Sequence, residues 1–421
     1  MPSASVILPW LYLVAPVLAG VLAIARARRS GSPGPVREFL VTCVTGAILG
    51  AGVGVWYSFL LHQRVGIWQI LVACYWAIVV MVLLKGSNRL LAWGIGRAMP
   101  KGQDGRPCCP AADVFGKVLR AGVLLALGIP FVAGMALTYR PRVVHPGTPA
   151  TLLNAAYAEV SFSATDGVPL RGWWIPASRS ERTDDRHPGP PWGEQTVIIC
   201  HGFGADKAAD LLLARDLVPN GYNVLAFDFR AHGESGGQFT TFGDLERRDV
   251  LGAVRWVRGN HAAQSHKLFG LGESMGAAAL ISAAADASPE GQAIDAVAVF
   301  APFDRLTDLF QGMADDRFAP SAGWLARRIA LPAAGLQLGA DLVHFAPGHD
   351  VQSLWPRPLL VISAEANASP TWGRTQELYD DALQPKYLLE VDKGEREAVL
   401  FGSKRTSTAV RVFFGGARQI L

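Results

Sequence analysis

Hydrophobic positions divide the chain into two stretches of different character. In the first third they form long uninterrupted runs, and four of these have the length and apolarity to cross a hydrocarbon core: Val6 to Ala25, Phe39 to Leu61, Gly66 to Leu84 and Ala121 to Leu137. The fourth is short and contains Pro130, which a span tolerates where neighbouring helices satisfy the freed carbonyl. Beyond Pro141 short β-rich runs alternate with helical stretches, the signature of a mainly parallel sheet with helices on both faces. The predicted strands are Glu159 to Ser163, Arg171 to Ile175, Thr196 to Cys200, Asn223 to Phe229, Lys267 to Leu271, Ala296 to Phe300, Pro358 to Ser363 and Tyr387 to Val391. Several are near-continuous apolar runs, as buried strands should be. The polar, proline-rich stretch Ser178 to Glu194 reads as a surface loop between the second and third strands.

Charge follows the same division. Residues 1–150 carry 14 Lys and Arg against 3 Asp and Glu, whereas the remainder carries 25 against 32. The excess of positive charge therefore lies among the apolar runs and reads as membrane topology, not as the basic face of a nucleic-acid-binding module. The first run lacks a basic leader and is followed, not preceded, by Arg26, Arg28 and Arg29, so it reads as a retained anchor and not as a signal peptide. Loops rich in Arg and Lys follow the first and third runs, while the turn after the second has only Arg64. The positive-inside rule then places the N-terminus and the large C-terminal domain outside the cytoplasm of a multi-pass cell membrane protein. If the fourth run does not cross, that domain is cytoplasmic instead. Gly46, Gly50 and Gly54 recur every four residues in the second run and predict a helix face where another backbone approaches closely. With no Asp, Glu, Lys or Arg inside any run, nothing suggests transport. Five cysteines at positions 43, 74, 108, 109 and 200 make neither a disulfide framework nor a zinc spacing.

The chemistry lies in the second stretch. Gly272-Glu273-Ser274-Met275-Gly276 sits between the strand Lys267 to Leu271 and a small-residue helix through Ala277 to Ala285. That placement is what a nucleophile elbow requires, with glycines leaving room for the turn and the serine hydroxyl projecting above the sheet. The competing reading is a tight turn whose serine caps the helix. His201-Gly202-Phe203-Gly204 directly follows the third strand, and the N–H groups of Phe203 and Met275 are the expected oxyanion hole.

Together with Asp166-Gly167-Val168-Pro169-Leu170-Arg171-Gly172-Trp173 and Phe227-Asp228-Phe229-Arg230-Ala231-His232-Gly233-Glu234-Ser235, these segments resemble the serine aminopeptidase-like branch of the α/β-hydrolase superfamily in its membrane-anchored form, over roughly residues 145–421. The resemblance implies an α/β-hydrolase fold with an eight-stranded sheet after a transmembrane region at 1–140. It implies hydrolysis of an ester, thioester or amide through an acyl-serine at Ser274, on a small acyl or peptide substrate, with no metal or organic cofactor. It also exposes two departures. At the family's catalytic aspartate the chain reads Ser363-Ala364-Glu365-Ala366-Asn367, so Asn367 holds the acid position. At the catalytic histidine it reads Gly394-Glu395-Arg396-Glu397-Ala398, so Glu395 holds the base position, or Arg396 if the register slips by one. No histidine follows His349.

A serine hydroxyl is a weak nucleophile until a base takes its proton, and losing that base costs about 10⁶-fold in turnover in one well-studied triad. His201 and His232 belong to segments that complete family members share and read as structural, whereas His344 and His349 lie before the seventh strand in a lid region. Glu365 could supply a shifted acid. Glu395 could act as base only if burial raises it above the ordinary glutamate value of about 4.3. Two functions stay open: a membrane-anchored serine hydrolase, and a pseudohydrolase that binds an acyl ligand or a protein partner without turnover.

Overall fold

The computed structural model describes residues 4–60, 67–98, 142–178, 193–317, 326–364, 372–391 and 404–416, with scattered positions between 114 and 139 and Trp324. It divides into two compact units, Met1–Val132 and Ala133–Leu421.

The first unit contains three long helices, α1 (Ala4–Ser30), α2 (Gly34–Leu60) and α3 (Ile67–Ala98). Of the expected small-residue face of α2, Gly46 is where α3 packs. A Cβ on Gly46 would lie 2.8 Å from the Ile78 Cα, and the Cys74 thiol donates to the Ala47 carbonyl at 3.1 Å. Polar contacts close one end of the pair, with Lys85 donating to the Thr42 hydroxyl at 2.7 Å and Arg89 bonded to Glu38. Among the described residues no helix is long and apolar enough to cross a membrane. The expectation of four spans is therefore not shown: the three helices do not meet that requirement over their described side chains, which leave out residues 4–15, 53–60 and, in α3, 67–70 and further positions up to 98. Most of the fourth run lies outside the described residues.

The second unit is built on one eight-stranded sheet: β1 (Ala158–Ser163), β2 (Pro169–Ile175), β3 (Gln195–Cys200), β4 (Tyr222–Asp228), β5 (Lys267–Glu273), β6 (Ala296–Phe300), β7 (Leu359–Ala364) and β8 (Lys386–Val391), in the order β1-β2-β4-β3-β5-β6-β7-β8. Each predicted strand is present to within two residues at either end. β2 runs antiparallel to both β1 and β4, and the remaining pairings are parallel. All seven residues of β4 and all five of β6 are buried, which is why these segments are continuously apolar where an exposed sheet would alternate. One face packs Val250 and Val254 of the helix Arg247–Asn260, and Leu280 and Ile281 of the helix Met275–Ala285, against Trp174, Leu225 and Phe227. The other face packs Phe413 and Phe414 of the helix Lys404–Phe414 against Tyr222 and Phe269. Each fully buried aromatic of this kind contributes about 1.5–3 kcal/mol from area alone.

Register decides where the chemistry emerges. Cys200, the last residue of β3, is aligned with Phe227 of β4 on one side and Gly272 of β5 on the other. The chain segments leaving these three strands therefore share the carboxyl edge of the sheet, at the point where strand order reverses, which is where ligands bind in open α/β sheets.

Candidate active site

Ser274 lies between β5 and the helix Met275–Ala285, with φ 48° and ψ −108°. A non-glycine residue in this sparsely populated region costs about 1–3 kcal/mol and persists only where the surroundings enforce it. Here the Ser274 N–H is held by the Phe300 carbonyl at 2.9 Å, and the Ser274 carbonyl accepts from Ala278 at 3.0 Å. Two glycines make the turn possible. A Cβ on Gly272 would meet the Gly276 carbonyl at 2.8 Å, and one on Gly276 would lie 2.1 Å from the Cys200 oxygen and 2.6 Å from the His201 oxygen. The first helical turn and the start of the loop carrying Phe203 are thus packed backbone to backbone. Ser274 makes no side-chain capping bond to its helix, which removes the reading of this serine as a mere cap. Its side chain is only partly buried.

Besides Ser274, the sequence-predicted residues whose surroundings are described are Met275, Phe203 and the four histidines. Met275 is buried, its sulfur receiving a contact from the Thr240 hydroxyl at 3.4 Å, and its backbone N–H stands in the first turn, where no intrahelical acceptor exists. Phe203 is half-buried and its ring lies 4.6 Å from that of Phe242. Phe242 belongs to an apolar cap with Phe303, Leu306, Leu331, Ala334 and Phe345. Gly134 abuts the Ala334 backbone and Leu137 packs against the same cap, while Tyr139 bridges to Phe239.

His201 and His232 are structural. The Nε2 of His201 accepts from the Phe229 N–H at 3.0 Å while its Nδ1 lies 2.8 Å from the Gly202 carbonyl. The Nε2 of His232 accepts from the Gly204 N–H at 3.3 Å and its Nδ1 lies 2.9 Å from the Arg230 carbonyl. Each ring is therefore a neutral Nδ1–H tautomer with its one lone pair occupied, and burial together with the neighbouring His232 pushes His201 down to about 3. His344 is exposed and faces Asp341, and His349 is exposed with its Nε2 3.2 Å from Arg305. Asn367, Glu365, Glu395 and Arg396 lie outside the described residues.

The segment Phe227 to Ser235 works as an anchor and not as catalytic machinery. The buried Arg230 guanidinium bonds Asp249 through Nε at 2.9 Å and Nη2 at 2.6 Å, and pairs with both oxygens of Asp166 at 2.9 Å. This clamps the hairpin turn at Asp166 and the helix Arg247–Asn260 to the end of β4. Lys207 donates to Asp228 at 2.7 Å and to Glu234 at 2.6 Å beneath the Trp173 ring. One element escaped the sequence reading altogether. Asp210, from a segment with no motif, is buried, and burial together with the charge of Glu273, the residue immediately before the elbow serine, holds its carboxyl well above the ordinary carboxylate range. Among the described residues no group of three or more His, Cys, Asp or Glu is disposed to hold a metal ion.

Comparison with known proteins fits this geometry. A family model described as serine aminopeptidase, S33, matches residues 193–366. The uncharacterized protein YqkD of Bacillus subtilis is 30% identical over 238 residues, which cover 56% of this chain and 75% of that protein. The chain belongs to the α/β-hydrolase superfamily. The uncharacterized protein YfhR of Escherichia coli K12 is 26% identical over 237 residues, 56% of this hydrolase chain and 72% of its relative. The esterase Pf2001 of Pyrococcus furiosus superposes with a TM-score of 0.50 at 26% identity, covering 66% of this hydrolase and 98% of the esterase. The S33 match ends one residue before Asn367 and contains neither acid nor base position.

Proposed function

We propose that this α/β-hydrolase accepts an acyl group on Ser274 from a small ester, thioester or amide substrate, through an oxyanion hole formed by the N–H groups of Phe203 and Met275, with Asn367 and Glu395 standing at the acid and base positions and turning over slowly at neutral pH. The observation that carries this reading is the Ser274 backbone, held at φ 48° with the hydroxyl unused for capping. Strain of this kind serves to present a side chain. The likeness to the Pyrococcus furiosus esterase supports an ester as substrate.

A second reading, a pseudohydrolase that binds an acyl ligand or partner, is favoured by the histidines. Both imidazoles near the elbow have their lone pairs taken by backbone N–H groups, leaving neither as a base for Ser274. Labelling with an active-site-directed fluorophosphonate separates the two. A covalent adduct on Ser274, absent in Ser274→Ala, is the expected result, and no adduct at any pH would leave only the binding module. With the base degraded, the adduct should form slowly at pH 7.

We also propose that the N-terminal unit embeds in a cell membrane and leaves the hydrolase unit extracytoplasmic. This rests on the apolar runs and loop arginines of the sequence and on apolar side chains turned outward on α1 and α2, such as Val17 and Ile48, at 66% and 68% exposure. A reporter fused after Leu421 should then be active outside the cytoplasm and one inserted near Gly105 inside it. Cytoplasmic activity of the C-terminal fusion would overturn the orientation.

A further inference from the structure

Between β4 and the helix Arg247–Asn260 the chain folds into a tight loop, Thr240–Gly243, around one buried carboxylate. Glu246 is fully buried and stands just before that helix, yet its side chain makes no capping bond there. It turns back and accepts hydrogen bonds from the loop. Oε1 takes the Thr240 hydroxyl and the Thr241 N–H, each at 2.9 Å, and Oε2 takes the Thr241 hydroxyl at 2.6 Å and the Gly243 N–H at 2.8 Å. Two donors on each oxygen fill the acceptor capacity of a carboxylate. The arrangement holds Phe242 at φ 59°, a left-handed conformation that a bulky residue adopts only where its surroundings enforce it. From the other side the Thr240 N–H donates to the Thr138 carbonyl at 3.0 Å.

What this loop touches gives it a role. The Phe242 ring lies 4.6 Å from that of Phe203, and the Thr240 hydroxyl oxygen lies 3.4 Å from the Met275 sulfur. The single hydroxyl proton of Thr240 goes to the carboxylate, the stronger acceptor, so the contact with sulfur is packing. Gly243 closes a third side, since a Cβ there would come within 3.1 Å of the Ala278 Cβ, in the first turn of the helix that opens at Met275. Phe203 follows β3 and Met275 follows β5, and one loop bears on the side chains of both. We propose that Glu246, Thr240 and Phe242 are positioning residues for the oxyanion hole, the Glu246 carboxylate setting the loop that fixes Phe203 and Met275 relative to each other. This deepens the acyl-transfer reading of Ser274 and rests on it.

Oxyanion donors tolerate little displacement: a shift of about 1 Å costs about 10²-fold in rate, and loss of one donor about 10²–10³-fold. Each part of the loop can be altered separately. Glu246→Gln is nearly isosteric, but it turns one acceptor oxygen into an NH2 group facing two donors, so one side of the carboxylate's bonding is lost. Thr240→Val keeps the side-chain shape and removes the hydroxyl, whereas Thr240→Ser keeps the hydroxyl. Phe242→Leu leaves all four bonds to Glu246 in place and removes the ring pair with Phe203. Because the loop acts on Phe203 and Met275 and not on the reacting atoms, these changes should slow bond formation at Ser274 and leave probe binding unaltered.

The test is the rate of fluorophosphonate labelling of Ser274 in the full chain, followed against probe concentration. Glu246→Gln, Thr240→Val and Phe242→Leu should each lower the saturating rate by about tenfold or more, with the half-saturating concentration unchanged within about twofold, while Thr240→Ser keeps the parent rate. Thr196→Val controls for lost stability alone. It breaks a buried hydroxyl pair with Ser265, 2.8 Å apart, at the amino end of β3, and should label as the parent does. Loop variants that label at the parent rate, or a Thr196→Val variant slowed as much as they are, would overturn the inference. Amide hydrogen exchange reads the same geometry without labelling. In Glu246→Gln the peptides spanning Phe203 and Met275 should exchange about tenfold faster relative to those of β4, and in Thr196→Val they should not. Unchanged exchange at these peptides would sink the proposal. If Glu246→Gln does not fold, Phe242→Leu carries both measurements. An unmodified protein that never labels, with the exchange difference present, would instead remove the acyl-transfer reading and leave the brace standing.

Discussion

Restoring the family's residues by Asn367→Asp together with Glu395→His is expected to raise the rate of activated-ester hydrolysis at pH 7 by about 10²-fold or more, since a positioned general base contributes about 10²–10⁴. The nucleophile and the proposed oxyanion donors stand on the rigid part of the fold, and the proposed function places the alteration only at the proton acceptor and the group that orients it. The gain should be strongly non-additive. Glu395→His alone lacks an orienting carboxylate, and Asn367→Asp alone has no imidazole to orient. Measured as kcat/KM, the rise should vanish again when Ser274→Ala is added. A double variant no faster than the parent, yet folded, would count against Asn367 and Glu395 as the acid and base positions.

Gly276→Ala is expected to be among the most destabilising single changes available, costing about 4 kcal/mol or more or preventing folding. The added Cβ would lie 2.1 Å from the Cys200 carbonyl oxygen, 2.5 Å from its carbon and 2.6 Å from the His201 oxygen, all of them backbone atoms of a central strand and its exit loop. No rotamer change can relieve such a contact. The helix must move from the sheet, and Phe203 and Met275 must separate as it does. Urea unfolding checks the prediction. A variant within about 1 kcal/mol of the parent would mean that the elbow is far looser than the contacts at Gly276 imply.

The fold was readable in the sequence because parallel strands buried on both faces are continuous apolar runs, and all eight appear where the runs stand. Ser274 was readable for a different reason. Only a strand, a tight turn and a helix in immediate succession give a glycine-flanked serine that spacing. What the letters concealed was the division of labour among the polar residues. Arg230 and His232 stand in a motif as prominent as the elbow, yet their partners Asp166, Asp249 and the Gly204 N–H make them braces. Asp210 was invisible because the state of its carboxyl depends on burial and on the charge of Glu273, 63 positions along the chain, and no local pattern records such a meeting. The long runs of the first third predicted helices correctly at α1, α2 and α3, but apolar length in sequence is a statement about solvent preference, and the described helices alone do not meet the requirement of a span.

The close packing at the elbow has a consequence for how such sequences change over time. Gly272 and Gly276 are wedged among backbone atoms of the central strands, and Gly202 sits on the Glu273 carboxylate. Mutation at these sites is punished by misfolding whether or not the protein still has a reaction to perform. Asn367 and Glu395, the proposed acid and base positions, come after β7 and β8 in the chain, and β7 and β8 are the two strands at one edge of the sheet, away from β3 and β5. A lineage that ceased to need turnover would therefore lose its acid and base first and keep its glycine-serine signature almost indefinitely. On the proposed assignment, then, the letters around the nucleophile testify to architecture, and the record of an abandoned activity would be written in the segments after the outer strands.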